Sequence, residues 1–361
     1  MPKKNNPQKT ATSNGVKFNE KIKSNFSFFK KQRMLDFLKP SVRKKSYWIK
    51  VFLIVIFLSL CLWIVMDIFQ KDLKLFFLAQ IQDKQEKIVY IERPINPKFL
   101  PLRNWRIPDF ETQARAVISV KISPQEEPKI LFQKNRDKEL PIASIVKLMT
   151  GLVVLKNYEP ELIIEISEQA ANQIGETGKL RAGEKFYIFD LLYPLLIESS
   201  NGAAYALSEV IGQEYFVELM NLKAEELGMK NTLFVNPSGL DNKPLYSDVS
   251  YSTVSDLIYL TQEILTHPKL MRIMSLSEYK FYSSEGVLQY LLINTNQLLN
   301  EIPEIIGGKT GFTEKAGQCL LVILNSPRKD SYIVSIVLGS PNRFKETREL
   351  IEWKNNAFVW K

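Results

Sequence analysis

The hydrophobic pattern divides the chain into four stretches. Residues 1–47 show few strong apolar periodicities. Residues 51–66 are an unbroken apolar run. Residues 70–113 are mixed and punctuated by Pro94, Pro97, Pro101 and Pro108. From residue 114 onward the pattern is that of a folded domain. Within it, residues 116–122 and 129–133 read as strands, and Ser123, Pro124 and Pro128 supply turn chemistry for a hairpin between them. Apolar positions then recur at helical spacing over 144–156, 187–197, 203–211, 214–227 and 254–265. Tyr187, Phe189, Leu191, Leu192 and Leu195 are assigned to core on this spacing. Three strand-like runs follow at 306–313, 319–324 and 332–338, and residues 344–359 read as a closing amphipathic helix. Strands first, helices in the middle and strands last predict an α+β domain. Its sheet is built from both ends of the domain, with a helical insertion. No internal repeat is seen.

The apolar run, extended to 48–69, has about the 20 residues that cross a hydrocarbon core. Lys50 and Asp67 lie near its ends. A cleaved signal peptide is the competing reading. The run is long for one, and Asp67-Ile-Phe-Gln-Lys-Asp72 offers no small-residue cleavage site. A single transmembrane helix is therefore expected. Prolines exclude helix from the second half of 70–113, which reads as an extended stem.

Charge sharpens this division. The 361-residue chain carries a net +9. Residues 1–50 hold fourteen lysines and arginines against Glu20 and Asp36, so the remainder is mildly acidic. A basic tail beside an apolar span predicts a cytoplasmic N-terminus and an extracytoplasmic domain over 114–361. The tail reads as disordered, with a lipid-surface helix around 26–38 as an alternative. Attraction to an anionic lipid bilayer accounts for its charge, so no nucleic-acid partner is inferred. Cys61 and Cys319 form neither a plausible disulfide nor a metal site. The single histidine, His267, excludes two-histidine zinc sites. Beside Pro268 it reads as a loop or helix-end residue. No metal or cofactor is expected.

Three short stretches carry chemistry. The first is Pro141-Ile-Ala-Ser144-Ile-Val-Lys147. A serine and a lysine three apart at a helix start share one face. A lysine amine freed of its proton can activate a serine hydroxyl. Ser-x-x-Lys recurs at Ser27, Ser41, Ser277 and Ser326, so the motif alone is weak. The second stretch is Ser199-Ser-Asn201-Gly202, a polar break between helical patterns. Ser199 or Asn201 could instead be a helix cap. The third is Gly307-Gly-Lys309-Thr310-Gly311-Phe312, where flanking glycines mark close backbone approach. Lys309 could be a solvated strand-end lysine. In that order the set is far more specific than its parts.

At these residues the chain resembles the penicillin-recognising serine acyl-transferases. In detail it resembles the low-molecular-mass D-alanyl-D-alanine carboxypeptidases. Leu140-Pro-Ile-Ala-Ser144, Asp190-Leu-Leu-Tyr-Pro, Leu227-Gly-Met-Lys-Asn-Thr-Leu-Phe-Val-Asn-Pro-Ser-Gly-Leu240 and Asn294-Thr-Asn-Gln-Leu-Leu-Asn300 extend the likeness over about 114–361. The resemblance implies a β-lactamase/D,D-peptidase-like fold with an antiparallel sheet. It implies Ser144 as nucleophile, Lys147 as general base and Ser199 as proton relay. Asn201, Lys309, Thr310 and Gly311 would bind substrate, and the Phe312 N–H would join that of Ser144 in an oxyanion hole. Peptidoglycan stem peptides ending in D-Ala-D-Ala are the implied substrate, and β-lactam antibiotics the implied covalent inhibitors. A D,D-endopeptidase acting on cross-links, or a non-catalytic wall-binding scaffold, are the alternatives. No acidic residue in a Glu-x-x-Leu-Asn-like context is found, which argues against a β-lactamase. Three positions depart from some members of the family: Gly202 stands for an acidic residue, Phe312 for histidine, and Thr295 for arginine.

Overall fold

A computed structural model describes residues 51–60, 62–63, 66, 101–123, 126–175, 180–241 and 249–360. The chain forms two compact units, 1–94 and 95–361. In the first, the described residues are helical, and their apolar side chains, Phe57 and Trp63 among them, are exposed. No helix among the described residues is long and apolar enough to cross a membrane. Part of the expected span 48–69 lies outside the described residues, as do the tail 1–47 and stem residues 70–100.

The second unit opens with β1 (Pro101–Arg103), then β2 (Ala116–Ser123), β3 (Glu126–Lys134) and β4 (Leu140–Pro141). A 3-10 turn at Ala143–Val146 leads into α1 (Lys147–Asn157). The short strands β5 (Ile163–Glu165) and β6 (Lys185–Tyr187) precede α2 (Leu192–Leu196), α3 (Asn201–Glu209) and α4 (Gln213–Glu226). Next come β7 (Tyr251–Ser252), α5 (Val254–Leu265), α6 (Pro268–Met274), β8 (Glu278–Tyr282) and β9 (Leu288–Ile293). The chain then returns as β10 (Ile305–Thr313), β11 (Gly317–Asn325), β12 (Tyr332–Ser340), α7 (Arg343–Ala357) and β13 (Phe358–Trp360).

The main sheet runs β10-β11-β12-β2-β3, and every pair is antiparallel. Two late hairpins therefore meet one early hairpin at the β12–β2 seam, as the order of patterns predicts. Both faces are covered, so the strands read as near-continuous apolar runs. On β11, Cys319, Leu321 and Ile323 join the large core with the helical insertion. Leu320, Val322 and Leu324 face the other way, with Ile351 and Phe358 of the C-terminal segment. This is the two-residue period of a strand buried on both sides. α5 matches its predicted span. Thr253 caps it, its hydroxyl accepting from Asp256 N at 3.0 Å; such a cap contributes about 1 kcal/mol.

Four expectations change. Residues 101–113 were expected in the stem but are built into the domain. β1 pairs with β13. Glu346 of α7 accepts from Thr112 Oγ1, Gln113 N and Ala114 N, and Phe110 packs with Phe132 and Trp353. Prolines exclude helix there, but not an extended strap. The helix expected over 144–156 begins as a 3-10 turn and becomes α-helical at Lys147. The helix expected over 187–197 shrinks to five residues. Tyr187 belongs to β6, paired with Ile163, and is exposed rather than core. The hairpin β8–β9 and helix α6 were not expected at all; His267 does stand at a helix end, as the N-cap position of α6.

Candidate active site

The first two motifs meet on Lys147. The 3-10 turn and α1 place Ser144 and Lys147 one turn apart. Lys147 is completely buried. Its Nζ donates to Ser144 Oγ at 2.9 Å, to Asn201 Oδ1 at 2.7 Å and to the Ser238 carbonyl at 2.8 Å. Two of these partners are carbonyl oxygens, which accept whether the lysine is charged or neutral. The Ser144 hydroxyl can reverse its role. A neutral Lys147 could keep both carbonyl bonds and receive the Ser144 proton along the same 2.9 Å line, with no rearrangement.

Asn201 begins α3. Its Oδ1 points at Lys147 and its Nδ2 donates to the carbonyl of Ile174 at 2.9 Å. Asn201, expected to bind substrate, is thus engaged by the chain itself at both ends of its amide. The helix cap is Ser200, whose hydroxyl accepts from Ala203 N at 2.9 Å. Neither Ser199 nor Asn201 is needed for that task. Ser199 is half-buried at φ +66°, and Ala143, just before Ser144, sits at φ +47°. Left-handed backbone costs a non-glycine residue about 1–3 kcal/mol. Both strained residues lie within two positions of a motif side chain.

The third motif is on β10, at the sheet edge. A Cβ on Gly311 would lie 3.0 Å from Ile142 O and 3.1 Å from Ser144 N, so glycine lets this strand run against the turn that carries Ser144. Thr310 and Thr295 share a hydroxyl–hydroxyl hydrogen bond of 2.6 Å. Phe312 is on the same strand with its ring largely exposed. Lys309 is 1% exposed and donates to its neighbour's carbonyl, Thr310 O, at 3.0 Å. It is not a solvated strand-end lysine. Burial, then Lys147, then Arg343 push its ammonium well below the usual lysine range.

Two contributors escape a reading by motif. One is the Ser238 carbonyl, a backbone atom with no side-chain signature. The signal available was the turn chemistry of Asn236-Pro-Ser-Gly239. The other is Arg343, which donates to Gly311 O at 2.8 Å and adds positive charge behind Lys309. It is the first residue of α7. A cation there opposes the helix dipole, and that conflict was its signal.

Residues 107–342 match the family model for D-alanyl-D-alanine carboxypeptidases. The D-alanyl-D-alanine carboxypeptidase DacF of Bacillus subtilis is 30% identical over 64% of this chain; the chain spans 59% of that relative's length. A D-alanyl-D-alanine endopeptidase of Pseudomonas aeruginosa is 34% identical over 67% of this chain and 78% of its own. Among solved structures, penicillin-binding protein D2 of Listeria monocytogenes in its cefotaxime-bound form superposes with a TM-score of 0.59. It is 30% identical and covers 68% of this chain and 99% of its own. Family match, relatives and fold agree with the convergence of three motifs on one edge of the sheet, and the chain belongs to the D-alanyl-D-alanine carboxypeptidase family.

Proposed function

We propose that this chain is a serine-type D-Ala-D-Ala carboxypeptidase acting on peptidoglycan stem peptides. The observation that carries the reading is the 2.9 Å contact between Lys147 Nζ and Ser144 Oγ, held from behind by two carbonyl oxygens. Ser144 Oγ attacks the carbonyl carbon of the penultimate D-alanine and its proton passes to Lys147. The N–H groups of Ser144 and Phe312 receive the oxyanion; one such donor contributes about 3–4 kcal/mol to the transition state. The C–N bond breaks, and the leaving amine takes a proton from Lys147 through Ser199. Free D-alanine departs, leaving an ester on Ser144. Water then attacks the ester and restores the hydroxyl. Asn201 orients Lys147. Lys309, Thr310 and Arg343 draw the substrate carboxylate, and Gly311 lets the peptide lie along β10.

A D,D-endopeptidase is the second reading. Relatives at 33–34% identity carry that name, and it uses the same residues with a different acyl donor. We also propose that residues 48–69 anchor the chain as a single pass, with the tail cytoplasmic and the domain extracytoplasmic. Deletion of 48–69 should release the protein from membranes; unchanged association refutes the anchor.

The test is labelling of the full chain with a fluorescent penicillin, beside D-alanine release from a pentapeptide. Labelling lost in Ser144→Ala, with D-alanine released by the unaltered chain, is the expected result. Labelling with release only from cross-linked dimers favours the endopeptidase. A folded chain that neither labels nor releases is a wall-binding scaffold.

A further inference from the structure

The loop that supplies the Ser238 carbonyl has its own organiser. Asn236 Oδ1 accepts from Ser238 N at 3.2 Å, Ser238 Oγ at 3.2 Å and Gly239 N at 2.7 Å. Its Nδ2 donates forward to Leu240 O at 2.9 Å. One side chain thus fixes the four-residue turn that faces the catalytic lysine.

The turn touches the site twice. Ser238 O accepts from Lys147 Nζ. Gly239, at φ +79°, lies so close to the nucleophile turn that a Cβ there would be 2.0 Å from Ala143 O and 3.0 Å from Ser144 N. A cleft of about 340 Å³ opens behind the loop, lined by Val235, Asn236, Pro237 and the α4 residues Gln213, Glu214 and Val217. Among the described residues, the turn is further tied by Leu240 N to Ser238 Oγ at 3.3 Å, Thr150 Oγ1 to Pro237 O at 2.7 Å and Val235 N to Ser250 Oγ at 3.0 Å. None of these engages the Ser238 carbonyl.

We propose that Asn236 is a positioning residue for acylation, setting the Ser238 carbonyl on Lys147 and Gly239 against the nucleophile turn. The proposal rests on the acyl-enzyme reading above. The carbonyl does two things for Lys147. It fixes one N–H, which aims the lone pair of the neutral amine at Ser144. It also favours the ammonium, because a charged donor bonds a carbonyl more strongly. Lys309 on β10 faces Lys147 as a second cationic group, with Arg343 of α7 beyond it; α3 contributes the neutral Asn201 acceptor, and the connection into α3 carries the buried carboxyl of Glu198. Releasing the carbonyl therefore slows acylation, yet lets Lys147 give up its proton at lower pH. A loop that merely destabilises the fold cannot produce that pair of effects.

The experiment measures the acylation rate constant of the full chain with a fluorescent penicillin, from about pH 5 to 10. It is expressed per labelled site, so the folded fraction does not enter. In Asn236→Ala the plateau should fall about 100-fold, as for a catalytic group displaced by about 1 Å. The rising limb should move to lower pH. Asn236→Asp keeps the turn-forming acceptor. It should recover the plateau to within about tenfold, with the limb moved to higher pH by the added carboxylate. An alanine variant with the original plateau and limb overturns the proposal. So do two variants that fall alike with an unmoved limb. An unaltered chain that never labels overturns the acyl-enzyme reading instead, and this inference with it.

Discussion

The main sheet buries two lysines, and they are treated in opposite ways. Lys121, on β2, is 2% exposed and bonds Glu126, which also binds Arg328. That carboxyl is held below its usual range, first by the hydrogen bond from Lys121 and further by Arg328, against the opposing effect of burial. Lys309, on β10, is equally buried but faces Lys147 and Arg343. The first arrangement pairs its buried lysine with a carboxylate. In the second, the neighbouring charges that act on Lys309 are themselves cationic. Burial and like charges push a lysine toward its neutral form, and groups perturbed in this way cluster at functional sites. On the proposed function, a substrate carboxylate would bring the opposite charge.

The largest effect that separates the two arrangements should come from Lys147→Met. Acylation should fall about 1000-fold, within the range for losing a general base, and stability should fall less than in Lys121→Met, since the lost partners are neutral acceptors. Lys121→Met should do the reverse. It should leave acylation intact and cost about 2–4 kcal/mol, because Glu126 loses one of two cations. Chemical denaturation of both variants tests this; a Lys147→Met protein as unstable as Lys121→Met would erase the contrast.

Next comes Lys309→Met. Reaction with a carboxylate-bearing penicillin should slow about 100-fold, the scale of a lost electrostatic clamp. Stability should not fall, since the lysine is held toward its neutral form. A variant that labels normally would remove Lys309 from the anion site.

A smaller effect follows from proton linkage. Free Lys309 titrates well below its usual range, and a bound carboxylate raises it again. Binding should therefore take up a proton. Between the two titrations, affinity should weaken as pH rises, by at most about tenfold per unit. Calorimetry on Ser144→Ala, in buffers of different ionisation heat, measures the uptake. Its absence, or its survival in Lys309→Met, would contradict the linkage.

Lys354 on α7 provides the smallest test. It is buried, and burial lowers its titration to about 8, with Glu304 opposing. A lysine depressed in the folded state is a burden while charged. Stability should rise as pH climbs from about 8 toward the ordinary lysine value near 10.4. Lys354→Met should gain about 1–2 kcal/mol at neutral pH and flatten that rise. A loss of stability would mean that the ammonium has a partner worth keeping.

The legible parts of this molecule are those where side chains repeat. Val254–Leu265 and the five main strands follow from apolar spacing, because each must present a face to the core. β8 and β9 were invisible because their outward positions, Tyr282, Leu288, Leu291 and Ile293, are themselves apolar or aromatic and break the alternation. Ser144, Lys147, Asn201 and Lys309 were legible as spaced motifs, and the structure joins them. Ser238 was not, because its contribution is a carbonyl that any residue could supply. Asn236 and Arg343 act through such carbonyls and inherit the same obscurity.

The β12–β2 seam constrains when this enzyme can exist during its own synthesis. It joins Tyr332 to Ile122 and Leu338 to Ala116, across about 200 intervening residues, so the sheet has high contact order and must close late. The helical insertion can begin to collapse while the chain is still emerging. β10 cannot be fixed beside Ser144 until β11 and β12 have been made and docked on β2. A nascent or truncated chain would carry Ser144 and Lys147 without the strand that Gly311 lets run against them, and on the proposed function would be inert until its last hairpin arrived.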